Sequence, residues 1–154
     1  MDHEDGVAEQ AARTNGVYRH EFVVGADVID ANGHVNNVAY VQWMQDVAVC
    51  HFTSVGGVGL LKELGGTWVA RAHRIEYLRP AFAGDRIEAR TWVADLRRVR
   101  SHRHYEFVRV SDRAVLARGE TDWVLVDVQS GKPKSIPEAI RRAFTLVPET
   151  GTHR

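Results

Sequence analysis

Val38 to Gly57 reads VAYVQWMQDVAVCHFTSVGG, and the fold turns on this stretch. Apolar side chains fall at Val38, Tyr40, Val41, Trp43, Met44, Val47, Ala48, Cys50 and Phe52. At the helical period these cover most of a circumference and leave a narrow polar stripe at Gln42, Gln45 and Asp46. The spacing predicts a helix of about five turns, too polar to cross a membrane and too apolar to lie on a surface. Asn36 and Asn37 stand where it begins, and an asparagine side chain satisfies the orphan amides of a first turn. Gly56 and Gly57 end it.

Outward from the helix the pattern becomes β-type. Tyr18 to Val24 precedes it; after a short apolar turn at Val58 to Leu64 come Thr67 to Leu78, Asp85 to Leu96, His102 to Val110 and Ala114 to Val128. The breaks at Pro80 to Gly84, Arg97 to Ser101 and Ser111 to Arg113 are short, which predicts an antiparallel meander of consecutive strands. Ile136-Pro137-Glu138 opens a short terminal helix. The plan is α+β, one long central helix wrapped by one curved antiparallel sheet. In the last strand Val115, Ala117, Gly119, Thr121, Trp123 and Leu125 share an apolar face, with Gly119 leaving room for something large. The opposite face, Leu116, Arg118, Glu120, Asp122, Val124 and Val126, is mixed, and with exposed sheet edges this predicts a homo-oligomer.

Composition bounds the function. The chain has 154 residues with 20 Lys and Arg against 20 Asp and Glu. That balance argues against a nucleic-acid binder, although a local basic patch fits inside a neutral total. The length suits one domain: a disordered segment over 1–16, an ordered unit over 17–146 and a loose tail over 147–154. The start lacks a secretory pattern and no run approaches a membrane span. A lone Cys50 cannot form an internal disulfide, so the expected address is the cytoplasm.

Just ahead of the helix, Asp30-Ala31-Asn32-Gly33-His34-Val35-Asn36-Asn37 gathers a carboxylate, an imidazole and three amides. Helix N-terminal amides can hold the oxygen of a carbonyl as it gains negative charge. Asp30 is placed to attack that carbonyl or activate water, and His34 to orient or shuttle a proton. The same residues also make a good turn and a good cap, so on residue types alone the structural reading stands beside the chemical one.

VIDANGHVNNVAYVQWMQD resembles the signature of hotdog-fold thioesterases of the 4-hydroxybenzoyl-CoA and acyl-ACP lineage. The likeness continues through IEYLRPAFAGD (Ile75 to Asp85) and resumes at ARGETDWVLVD and GKPKSIPEAIRRAF, so it spans about Val17 to Phe144. It implies a hotdog fold and an acyl thioester hydrolase acting on acyl-CoA or acyl-ACP. In that resemblance Asp30 is the nucleophile or general base, the Asn37 amide polarises the thioester carbonyl, and Asn32 and His34 match the Asn and His of the plant acyl-ACP branch. Asn36 and Tyr40 are implied to help bind substrate. The active site is implied to lie at a dimer interface, in a homodimer or homotetramer. No metal or bound cofactor is expected, since coenzyme A or the phosphopantetheine of a carrier protein arrives with the substrate.

Two positions depart from the resemblance. Pro80 stands where the acyl-ACP branch carries a further acidic residue, with Glu76 nearby but out of register; where another branch has a helix glutamate, this helix offers Gln45 and Asp46. Arg97, Arg98 and Arg100, with Arg103, form a basic stretch that reads as a solvated turn and also as able to hold coenzyme A phosphates or an acidic carrier surface. His102 and His104 share a strand face with no third ligand evident, so no metal site is expected. Cys50 reads as a buried small hydrophobe, and no serine lies in a Gly-x-Ser-x-Gly setting. Two other readings keep the fold and change the function: a non-catalytic acyl-CoA-binding protein and an enoyl-CoA hydratase.

Overall fold

Asn36 starts the long helix as its sequence context demands: its Oδ1 accepts from the Ala39 amide at 2.9 Å, while its Nδ2 donates to Val28 O at 3.2 Å. In the computed structural model, which describes residues 14–149, the elements follow in the expected order. They are β1 (Tyr18–Val23), a short 3-10 turn (Ala26–Val28), α1 (Asn37–Ser54), α2 (Gly57–Leu64), β2 (Gly66–Tyr77), β3 (Arg86–Leu96), β4 (Arg100–Arg109), β5 (Val115–Asp127) and α3 (Glu138–Ala143). No single helix among the described residues is long and apolar enough to cross a membrane, and α1 and α2 bend by 86° at their break.

The sheet has five strands in the order β1-β3-β4-β5-β2, every pair antiparallel. This corrects the expected meander, because β2 pairs with β5 rather than with β3. A short connection does not require its flanking strands to be neighbours. Residues 78–85 make the connection, with a bend at Arg79 and a turn at Ala83-Gly84, and eight residues can span up to ~26 Å against about 15 Å for three inter-strand spacings. The strap is tied at both ends: Leu78 N donates to Leu116 O at 2.8 Å and Gly84 N to Val24 O at 2.9 Å. Midway, Ala81 O accepts from Val35 N at 2.9 Å, so the strap runs beneath the loop that leads into α1. Register shifts at Ala70/Ala72, Val93/Asp95 and Phe107/Val108 bend the sheet around the helix.

Helix and sheet meet where the β5 pattern leaves a gap. A Cβ on Gly119 would lie 2.9 Å from Met44 Sδ and 3.3 Å from Arg74 O, so glycine there admits the fully buried Met44. Tyr40, Met44 and Val47 pack on Tyr105, Phe107, Leu116 and Ala117; a second cluster joins Phe52 and Leu61 to Leu125, Ile136, Ile140 and Phe144. The apolar circumference of α1 is not wholly enclosed: Val38 and Val49 are exposed. The outer face of the sheet is more polar than expected, with Arg90 bonded to Glu88 at 2.7 Å and to Glu106 at 3.3 Å, and Arg118 to Glu106 at 3.2 Å.

The chain ends differ from expectation where they are described. Residues 14–16 form a 3-10 turn at the start of the described residues, and Gly16 lies against Thr145 and Val147. Val147 N donates to Val93 O at 2.9 Å and Glu149 reaches His104 at 2.9 Å, so residues 147–149 are docked by sheet-edge hydrogen bonding. The rest of the expected N-terminal segment and tail, 1–13 and 150–154, lies outside the described residues.

Candidate active site

The loop ahead of α1 is closed by a bridge between Ile29 and Val35 and by Asn36 N donating to Val28 O at 2.8 Å. Inside it, Asp30 N donates to His34 O at 2.8 Å and Gly33 N to Asp30 O at 3.0 Å. Gly33 adopts φ 83°, the left-handed conformation that this tight turn requires and glycine takes without strain. Asp30 Oδ1 accepts from Asn32 N at 2.9 Å and from His34 N at 3.4 Å. Its other oxygen, Oδ2, has no hydrogen bond to any described residue, and the side chain is exposed. One carboxylate oxygen thus fastens the turn while the other is presented to solvent.

Asp30, Asn32 and His34 are brought together in this one turn, and Asn36 and Asn37 follow at the start of the helix. The exposed Asn32 carries no side-chain hydrogen bond to a described residue. His34 is half-buried, its ring 5.5 Å from Phe82 at an edge-on angle of 85°. Asn36 is occupied as the cap and as a donor to Val28. The Asn37 amide has no acceptor among the described residues, in keeping with a first-turn helical N–H. No hydrogen bond joins it to Asp30 within the chain. Tyr77 Oη donates to Asn37 O at 3.1 Å, and exposed Val38, Tyr77, Leu78 and Phe82 surround the helix start with apolar surface.

Other expected residues fall elsewhere. Tyr40 is 3% exposed and lies in an aromatic cluster with Trp43, Tyr77 and Phe107, centroids 4.8–5.4 Å away. Burial, reinforced by Tyr77 and Asp85 and partly opposed by Arg109, pushes its hydroxyl up to about 12. It supports the helix start from within the core and does not line the loop. Arg97, Arg98 and Arg100 sit at the far end of β3, whereas the strap beneath the Asp30 loop enters its near end. The length of that strand, ~30 Å, separates them from the loop in the same chain. Arg97 bonds Asp95 at 3.4 Å and Arg98 bonds Ser135 at 3.3 Å. On the helix, Asp46 is exposed and accepts from Gln42 at 2.8 Å.

The third group beside His102 and His104 comes from β5, across the sheet. His102 Nε2 lies 2.8 Å from Glu120 and Nδ1 2.6 Å from Asp122, and the ligand atoms of His102, His104 and Glu120 fall within 4.8 Å of one another. The strand register, His102 opposite Asp122 and His104 opposite Glu120, carries that information, and it is not local in sequence.

Arg103, expected with the exposed basic turn, is instead 4% exposed on the inner face of β4. Alternation along the strand was the available signal: Ser101, Arg103, Tyr105 and Phe107 share the buried face.

A single five-stranded antiparallel sheet around one long helix, with a polar turn at the helix N-terminus, defines the α+β hotdog class. Residues 24–144 match the thioesterase-like superfamily, and the chain belongs to that family. An acyl-[acyl-carrier-protein] hydrolase of Cuphea viscosissima (FATB2, chloroplastic) is 24% identical over 133 residues, 82% of this chain and 32% of its own length. The chain therefore spans about a third of that curated relative. An acyl-ACP thioesterase structure from Bacteroides thetaiotaomicron superposes with TM-score 0.80 at 18% identity, covering 91% of this chain and 57% of the other. A 1,4-dihydroxy-2-naphthoyl-CoA thioesterase from Synechocystis (Slr0204) superposes with TM-score 0.75 at 20% identity, covering 83% and 95%.

Proposed function

We propose that this chain hydrolyses acyl thioesters of coenzyme A or acyl carrier protein to a free acid and a thiol. The observation that carries the reading is Asp30, whose Oδ1 is held by its own turn while, among the described residues, neither its Oδ2 nor the Asn37 amide at the helix start has a hydrogen-bond partner. Membership of the thioesterase-like superfamily supports the same reading.

In the reaction, a water oxygen bonds to the thioester carbonyl carbon while Asp30 takes its proton; alternatively, Asp30 attacks first and water resolves the anhydride. Charge gathers on the carbonyl oxygen, where a helix N-terminal amide stabilises it. The C–S bond then breaks and the thiolate leaves, taking up the proton. His34 and Asn32 orient the substrate and the water.

Within one chain the Asp30 carboxylate and the Asn37 amide share a loop without touching, and the apolar surface at the helix start is uncovered. Both features favour a homodimer, or a dimer of dimers, in which a second copy completes the site. In such an assembly Arg97, Arg98 and Arg100 of a second copy are available to hold the phosphates of the carrier.

Free-thiol release measured over a panel of acyl-CoAs and acyl-ACPs tests this reading. Turnover with release of one thiol per acid supports it. Tight acyl-CoA binding without thiol release overturns it in favour of a binding protein, and hydration of crotonyl-CoA without thiol release overturns it in favour of a hydratase.

A further inference from the structure

A cavity of about 450 Å³ lies between the C-terminal half of α1, α2, the start of β2 and the inner faces of β4 and β5. That volume is in the range of small-molecule sites, roughly 300–1,000 Å³. Exposed Val49, Val58 and Lys62 stand at its rim, and buried Phe52, Leu61 and Arg103 at its floor. The walls are otherwise largely aliphatic and aromatic, including Trp68 and Trp123.

Arg103 is the unusual member. Its hydrogen bonds to described residues leave only from Nη1, at 2.9 Å to His51 Nδ1 and 3.0 Å to Thr91 Oγ1. A guanidinium can only donate, so His51 Nδ1 is the acceptor. Phe144 lies 5.8 Å from the guanidinium carbon. No carboxylate among the described residues pairs with it. Burial lowers its pKa to about 10, partly countered by Tyr105, so it stays cationic at neutral pH. Trp123 Nε1, buried on the same wall, lies against the Tyr105 hydroxyl without reaching hydrogen-bond geometry.

A buried cation without a counter-charge costs several kcal/mol, and two neutral acceptors and an aromatic face offset only part of that. Nε and Nη2 keep their donors, arranged in the planar fork that matches a carboxylate. An unsubstituted acyl chain leaves those donors unanswered. An acyl chain ending in a carboxylate answers them and supplies the missing charge.

We propose that the cavity takes an acyl group whose far end carries a carboxylate, with Arg103 as the specificity-determining residue, so that the substrates are thioesters of dicarboxylic acids. This rests on the thioesterase reading for the reaction but not for the binding. The Asp30 loop of the same chain stands at the other end of α1, about 20 Å away, so the thioester end of such a ligand is served by the loop of a second copy.

Trp68 and Trp123 in the wall report occupancy by fluorescence, so the full chain is titrated with octanedioate and with octanoate. Octanedioate is expected to bind at least about tenfold more tightly, with the same advantage for octanedioyl-CoA over octanoyl-CoA in kcat/KM. Arg103→Met should abolish the advantage while sparing octanoate, and Lys62→Met at the rim should keep it. If Arg103→Met fails to fold, the wild-type comparison and Arg103→Lys decide. Equal binding and equal turnover of the two ligands, or loss of selectivity in Lys62→Met alone, overturns the proposal and leaves the thioesterase reading intact. Selective binding with no hydrolysis of either ester upholds the proposal and removes the thioesterase reading.

Discussion

Asp30 and Asn36 each use their two side-chain heteroatoms for different purposes, and their positions explain why these residues are legible in the sequence. Turn and cap chemistry is local, so Asp30, Gly33 and Asn36 announce themselves within eight residues of sequence. Tyr40 and Arg103 do not, because their roles depend on strands that arrive later in the chain. Tyr40 is implied by the resemblance to bind substrate yet is buried against Phe107; Arg103 looks like surface yet lies inside. Asn36→Ala removes the acceptor for Ala39 N and the donor to Val28 O. Losing a cap costs about 1 kcal/mol, or roughly 2–4 °C in Tm for a chain of this size. Thermal unfolding should show that loss, with Asn36→Asp recovering part of it because the cap acceptor is retained.

At the scale of elements, strand positions were readable from alternation, but strand partners were not. Periodicity places Thr67 to Leu78 and Asp85 to Leu96 as strands without stating that the strap between them crosses two others. The same gap hid the carboxylates around His102, since Glu120 and Asp122 become its neighbours only through the β4–β5 register. Burial lowers the His102 pKa, but the hydrogen bond and charge of Asp122, together with Glu120, outweigh it and raise the net value above the usual 6.5. A folded-state pKa above the unfolded one stabilises the fold below the unfolded value, and that stabilisation is lost as pH rises through the folded value. The Tm gap between wild type and His102→Gln should therefore be wider at about pH 6 than at about pH 9. A gap independent of pH would mean that the imidazolium contributes nothing to stability.

For the molecule as a whole, zero net charge conceals a segregated distribution. The outer face of the sheet carries alternating ion pairs, while exposed Val38, Tyr77, Leu78 and Phe82 gather around the Asp30 loop. A site that is open and apolar in one chain is expected to be closed by another. Light scattering on the purified protein should give a mass that is an even multiple of 17.3 kDa. A monomer that hydrolyses thioesters at full rate would contradict a shared site.

The carboxylate of Asp30 is the most direct point of attack on the whole account. In Asp30→Asn the amide oxygen still accepts from Asn32 N and His34 N, so the turn and the fold are retained while the base or nucleophile is lost. The measurement is kcat for free-thiol release from the best acyl thioester, with the thermal midpoint recorded on the same samples. The account predicts a fall of ~100-fold or more at an unchanged midpoint; a folded Asp30→Asn protein that turns over at the wild-type rate would contradict it.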